Sequence, residues 1–117
     1  MLNDYVCPGK VYLALGHTDL RKGIDGLAAI IQEHYDMEVQ ANDLFIFCGR
    51  RNDRIKALIW EGDGFLLLYK RLEKGSFRWP RTSEELKRIT PAQYKHLMSG
   101  LEITEKIPRK TIAPRTV

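Results

Sequence analysis

Apolar positions are densest between residues 44 and 80, and their pattern predicts the sheet around which the chain is organised. Leu44-Phe45-Ile46-Phe47-Cys48 is an unbroken apolar run, closed by the turn-like Gly49-Arg50-Arg51-Asn52-Asp53. Arg54-Ile55-Lys56-Ala57-Leu58-Ile59-Trp60-Glu61 follows, then a Gly62-Asp63-Gly64 break, then Phe65-Leu66-Leu67-Leu68-Tyr69-Lys70-Arg71-Leu72-Glu73. Aromatic and β-branched runs bounded by Gly, Asn and Asp predict consecutive antiparallel strands. Asp63-Gly64 accepts the positive φ angles of a two-residue hairpin turn. That turn sets Trp60 opposite Leu67, Leu58 opposite Tyr69, Lys56 opposite Arg71 and Arg54 opposite Glu73. Moving it to Gly62-Asp63 slips each pair by two residues and leaves both faces unchanged. One face, with Ile55, Ala57, Ile59, Leu66, Leu68 and Leu72, belongs to a core. The other mixes Trp60, Tyr69 and Phe65 with Arg54, Lys56 and Arg71. Lys56 across from Arg71 is a like-charge pair that costs stability unless an anion or acid lies nearby, a first pointer to an anionic ligand.

The flanking segments supply the remaining elements. Lys10-Val11-Tyr12-Leu13-Ala14-Leu15 reads as a short strand, and Thr18 or Asp19 caps a helix running to about Tyr35. Leu20, Ile24, Leu27, Ala28 and Ile31 have the three-four spacing of a face packed on a sheet. Gly23 and Gly26 weaken that helix by roughly 1 kcal/mol each and mark a tight turn or a close approach of another backbone. Thr82-Ser83-Glu84-Glu85 starts a short helical turn through Arg88. In Thr90-Pro91-Ala92-Gln93, Thr90 caps, Pro91 takes the first helical position and Gln93 completes a capping box. Tyr94, Leu97, Met98 and Leu101 form the buried stripe of that helix, and Gly100 suits its stop. Residues 1–9 read as a loose arm, 10–102 as the domain, and 103–117, with Pro108 and Pro114, as a flexible basic tail. The fold class is α+β: a single domain with an antiparallel sheet of four to five strands and two main helices. The helices are expected on one face, or, should one lie across the apolar end of the mixed face, on both.

A chain of 117 residues supports one core and not two. No apolar run reaches the length of a membrane span, and residues 1–10 lack the apolar core of a signal peptide, so no membrane partner is expected. Cys7 and Cys48 make no disulfide framework, which implies a reducing, cytoplasmic setting. The net charge of +4 is unevenly placed: residues 1–49 carry three Lys/Arg against seven Asp/Glu, and residues 50–81 carry nine against four. An acidic front and a basic sheet make a polarised molecule suited to a polyanion on one side. Lys and Arg that merely solubilise strand edges would leave the same composition.

Three blocks resemble a known family. They are Val11-Tyr12-Leu13-Ala14 through Thr18-Asp19-Leu20-Arg21-Lys22-Gly23-Ile24-Asp25-Gly26-Leu27; the long segment from Leu44-Phe45-Ile46-Phe47, through Trp60-Glu61-Gly62-Asp63-Gly64-Phe65 and Tyr69-Lys70-Arg71-Leu72-Glu73-Lys74-Gly75, to Phe77-Arg78-Trp79-Pro80; and Thr90-Pro91-Ala92-Gln93 with Leu97-Met98-Ser99-Gly100. In this order they resemble the small TnpB, or Orf2-like, accessory protein of the insertion-sequence family numbered 66. The resemblance spans roughly residues 10–102. It implies a bacterial mobile-element protein that assists transposition, with the element's transposase and other accessory proteins as partners. Strand-transfer catalysis is assigned in that family to the separate transposase, so the resemblance implies a non-enzymatic helper with no catalytic residues of its own. The tail after Ile103 departs from the family's usual ending. Cys48 stands where a polar or basic residue is common, which argues against a catalytic thiol.

His17, His34, His96, Cys7 and Cys48 lack the spacing of a structural metal site, and no cofactor is implied. Neither a nucleophile elbow nor a Cys/His pair appears. Gly62-Asp63-Gly64 lacks the Lys and Ser/Thr of a phosphate cradle. Asp53, Glu61, Asp63 and Glu73 raise a metal-dependent nuclease as an alternative. However, Asp63 belongs to one hairpin end and Asp53 and Glu73 to the other, at ~3.3 Å per residue too far to share metals. DNA binding has the broader base: Arg50, Arg51, Arg54, Lys56, Lys70, Arg71, Lys74 and Arg78 supply cations for phosphates, and Trp79, Trp60 or Tyr69 a stacking platform. Lys56 and Arg71 are expected to stay open to solvent beside the Arg50-Arg51 loop as one basic rim. Trp60 is expected to be largely buried and Trp79 more exposed. An assembly factor that binds the transposase through the apolar part of the mixed face is the other alternative.

Overall fold

The computed structural model describes residues 1–81 and 85–103. Its strands are β1 (Val11–Ala14), β2 (Leu44–Cys48), β3 (Arg54–Trp60), β4 (Phe65–Arg71) and β5 (Leu86–Ile89). They form one sheet in the order β4-β3-β2-β1-β5. All five residues of β2 are buried. A central strand covered on both faces has no polar side to present, hence its unbroken apolar run.

The sheet is antiparallel at every joint but one. β1 runs parallel to β2, with Val11 paired to Leu44 and Ala14 to Phe47. Parallel neighbours need a crossover connection, and the segment carrying α1 (Ile24–Ala29) supplies it. This corrects the expectation of a purely antiparallel sheet. The molecule remains α+β.

α1 continues as one π-helical turn, Ile30–His34, closed by Tyr35 N–H on the Ile30 carbonyl at 3.1 Å. Leu27, Ala28 and Ile31 pack on Ala14, Phe45, Phe47 and Leu58. On the opposite face, Tyr94, Leu97 and Met98 of α2 (Pro91–Met98) join Leu13, Leu44, Ile46, Ile55, Ile59, Phe77 and Trp79. The helices therefore cover both faces, not one, because each apolar face of the central strands needs its own cover.

Two element expectations are corrected. The first helix begins at Ile24, not at a Thr18 or Asp19 cap. Thr18 N–H is committed to the Cys48 carbonyl at 3.0 Å, while Asp19 accepts from Arg21 N–H at 3.0 Å and its carbonyl from Lys22 N–H at 3.1 Å. This local turn competes with helix for the same backbone groups. Leu86–Ile89 is a strand rather than a helical turn, paired antiparallel to β1 from Val11↔Ile89 to Ala14↔Leu86. The open edge of β1 supplies partners that local propensity does not register. Residues 82–84 and 104–117, and with the latter most of the expected tail, lie outside the described residues.

The capping box of α2 forms as predicted. Gln93 N–H donates to Thr90 Oγ1 at 3.1 Å, and Thr90 N–H donates to Gln93 Oε1 at 2.8 Å. The helix ends with Leu101 N–H on the His96 carbonyl and Gly100 N–H on that of Leu97, a Schellman closure.

The β3–β4 hairpin takes the register of the Gly62-Asp63 turn. Trp60 pairs with Phe65, Leu58 with Leu67, Lys56 with Tyr69 and Arg54 with Arg71. Glu61 N–H bonds the Gly64 carbonyl at 2.9 Å, and Gly62 takes φ +95°. A positive φ at the first central residue is what a type II′ turn requires, and only glycine adopts it without strain. The faces stand as expected, but the like-charge pair is Arg54 with Arg71, not Lys56 with Arg71.

Cys48 is fully buried, and burial pushes its thiol up to about 11. Cys7 is half-buried in the N-terminal arm. Alkylation of the native protein at mildly alkaline pH is expected to modify Cys7 alone, with Cys48 reacting only after denaturation. Rapid labelling of both native thiols would contradict the packing around β2.

Candidate nucleic-acid interface

The basic residues of the 49–54 loop are placed by contacts that begin at the strand ends. Because β1 and β2 run parallel, their carboxyl ends lie side by side, so the loops that follow them meet. Thr18 N–H on the Cys48 carbonyl ties one loop to the other. Gly49 permits the approach: a Cβ there would stand 3.2 Å from the Leu20 side chain. Arg81 fastens the junction from beneath. Its guanidinium donates to the Gly16 carbonyl at 3.1 Å, to Asn52 Oδ1 at 2.8 Å, to Cys48 Sγ at 3.4 Å and to the Gly49 carbonyl.

A cleft of about 930 Å³ opens at this end of the sheet. Arg50, Arg51, Arg54 and Lys56 line it, joined by Arg21, His17, Asp19 and Tyr69. Five cations thus face one carboxylate. Arg21 grips Asp19 with two nitrogens, at 2.9 and 3.0 Å, and these bonds hold the carboxyl down to about 2. A depressed folded value means that this pairing is intact above the unfolded value of ~3.9 and is lost only as pH falls through about 2. Arg54 is paired with its neighbour Asp53 at 2.8 Å, which lowers the Asp53 carboxyl and raises the Arg54 guanidinium. Lys56 Nζ donates to the Lys22 carbonyl at 3.0 Å and sits 5.9 Å over the Tyr69 ring. Arg50 and Arg51 are exposed, and no ion pair is formed by either among the described residues.

The other residues expected at the site fall in different places. Arg71 is exposed on the same face, across from Arg54, and makes a solvent-open pair with Glu73 at 3.3 Å. Lys70 belongs to the opposite face, where its ammonium bonds Asn3 Oδ1. Lys74 is exposed beyond the end of β4 and does not line the cleft. Arg78 pairs with Glu102 at 3.8 Å and lines a separate hollow with Asn52, Ser76 and Glu102.

The expected roles of the tryptophans are reversed. Trp79 is 6% exposed and donates Nε1–H to the Ala14 carbonyl at 2.9 Å, so it offers no face to a base. Trp60 is half-buried, edge-on to Phe65 at 4.9 Å. α1 covers the Leu58 end of the mixed face and leaves Tyr69, 53% exposed, as the aromatic of the cleft. Sequence reading missed Arg21 and Arg81. Arg21 enters through the β1–β2 crossover, and Arg81 acts through backbone carbonyls that carry no sequence signature.

Fold and site together define a small α+β protein with a cation-lined cleft and, among the described residues, no group of His, Cys, Asp and Glu arranged to hold a metal. No helix of the described residues is long and apolar enough to cross a membrane. The chain belongs to the IS66 Orf2-like protein family (TnpB_IS66), whose sequence profile matches residues 9–107. Its place is therefore among the accessory proteins of insertion-sequence transposition. It is similar to the uncharacterised protein y4hO of Sinorhizobium fredii (strain NBRC 101917 / NGR234), 36% identical over 108 residues and 92% of both chains. It is also similar to y4jC of the same strain, 29% identical over 103 residues, covering 88% of this chain and 87% of the relative. No solved structure matches.

Proposed function

We propose that the chain assists transposition without catalysing it, by holding the phosphates of its element's DNA in the basic cleft while the transposase supplies the chemistry. The observation that carries this reading is the convergence of Arg21, Arg50, Arg51, Arg54 and Lys56, drawn from two loops and a strand, on one open surface with Tyr69 among them. Mobile cations suit phosphates, and an exposed aromatic ring suits an unstacked base. Weak sequence preference follows, since phosphate contacts carry no sequence information. Two outcomes test the proposal. Binding to duplex DNA is expected to fall linearly on a log–log salt titration, with similar slopes for unrelated sequences. A salt-independent affinity would overturn electrostatic binding. Supercoiled and single-stranded DNA incubated with magnesium or manganese are expected to remain intact. Cleavage abolished by Asp53→Asn or Asp63→Asn would instead establish a nuclease.

A further inference from the structure

β4 is the outer strand of the sheet, and among the described residues its far side pairs with no other strand. The ladder with β3 identifies the groups that point outward. Glu61 N–H bonds the Gly64 carbonyl and Leu72 N–H that of Asp53, so residues 64, 66, 68, 70 and 72 turn their polar backbone toward β3. In an antiparallel pair the intervening residues turn theirs the other way. Those residues are Phe65, Leu67, Tyr69 and Arg71. Among the described residues, no hydrogen bond outside the β3 ladder involves their backbone groups. Exposed edges are ordinarily blunted by proline, bulges or charge, because they template pairing with another chain. Here charge enters only at the last two residues, Lys70 and Arg71.

We propose that β4 pairs antiparallel with β4 of a second copy, about a two-fold axis at Leu67. In that register Leu67 faces Leu67, Phe65 faces Tyr69, and Leu66 faces Leu68. Arg71 then reaches the turn residue Asp63 of the second copy. Other registers fit less well. Centring on Leu68 sets Phe65 against Arg71 and Asp63 against Glu73, and centring on Tyr69 sets Leu67 against Arg71 and Phe65 against Glu73. Centring on Leu66 keeps a charge pair, Arg71 against Glu61, but sets Tyr69 against Asp63 and Leu68 against Gly64. Of these four axes the one at Leu67 alone matches apolar with apolar from Phe65 to Tyr69 and cation with acid, the pairs that stabilise adjacent strands. It also gives Tyr69, 53% exposed in the single copy, an aromatic neighbour across the seam. An axis perpendicular to the sheet merges two five-stranded sheets and keeps both basic clefts, each lined by Leu67 and Tyr69, on one side of the seam.

The pairing stands apart from the DNA reading and is tested without nucleic acid. Sedimentation equilibrium of the full chain is expected to show a reversible dimer. Arg71→Asp or Asp63→Arg alone is expected to weaken it on the order of tenfold, because each removes two symmetric charge pairs and adds two repulsive ones. The two changes together restore the opposite charges and the dimer. Leu67→Lys, which sets two ammonium groups face to face at the axis, is expected to abolish it while circular dichroism shows the fold retained. A monomer at all concentrations overturns the proposal. So does a dimer indifferent to all of these changes, since its interface then lies elsewhere.

Discussion

Replacing Arg50, Arg51 and Arg54 together with alanine is expected to weaken duplex DNA binding across all sequences and to flatten its salt dependence. Each phosphate contact releases condensed counterions and contributes about 0.9 to the log–log salt slope, so three lost contacts remove about 2.7. Between 50 and 200 mM salt the unaltered protein should consequently lose ~40-fold more affinity than the variant. Arg50 and Arg51 are exposed and sit in a loop outside the core clusters, so their truncation leaves the fold in place. Arg54 is different: its removal frees the Asp53 carboxylate beside the cleft and adds a repulsive charge there. An Arg50→Ala/Arg51→Ala variant separates the two effects, with an expected slope loss of about 1.8 and the Asp53 pair intact. An unchanged slope in the triple variant would remove this loop from the interface.

Arg81→Ala is expected to be the most damaging single polar substitution for the fold around the cleft. The guanidinium serves two carbonyls, one amide oxygen and one sulfur from two segments of chain. Truncation leaves those acceptors without their donor in a partly buried setting, at a cost of about 2–3 kcal/mol. For a domain of this size that corresponds to a fall in Tm of roughly 10 °C. Arg81→Lys restores the charge but not the planar fork, and is expected to recover less than half of the loss. Because Arg81 joins residue 16 to residues 48–52, both variants should also raise hydrogen exchange at Gly49 and Asn52. Thermal melts together with exchange rates check this: an unaltered Tm with unaltered exchange would mean the contacts contribute nothing.

Much of the fold was legible because it is written in local patterns. The apolar run of β2, the alternation along β3 and the Gly-bounded break before β4 reflect strand geometry residue by residue. The capping box at Thr90 and Gln93 is a contact three residues long and needs no tertiary information. The two faces of the hairpin follow from a period of two, which is why they survive the slip in register. The crowding of Arg50, Arg51, Arg54 and Lys56 was also readable, since all four lie within seven consecutive positions.

Local pattern alone specifies four of the five strands, the better-capped helix, the basic character of the sheet and the family to which the chain belongs. Which strands lie side by side was settled by long-range contacts. Leu86–Ile89 became a strand because β1 presented an unpaired edge, and β1 ran parallel to β2 because the crossover through α1 brought it there. The same long-range choices placed Arg21 in the cleft, drove Trp79 into the core and set Arg81 beneath the loop. The physical reason is common to all of them. Backbone donors and apolar faces are satisfied by whichever segment arrives, and nothing within a local window records what lies 30 or more positions away, as with Arg81 and Gly49.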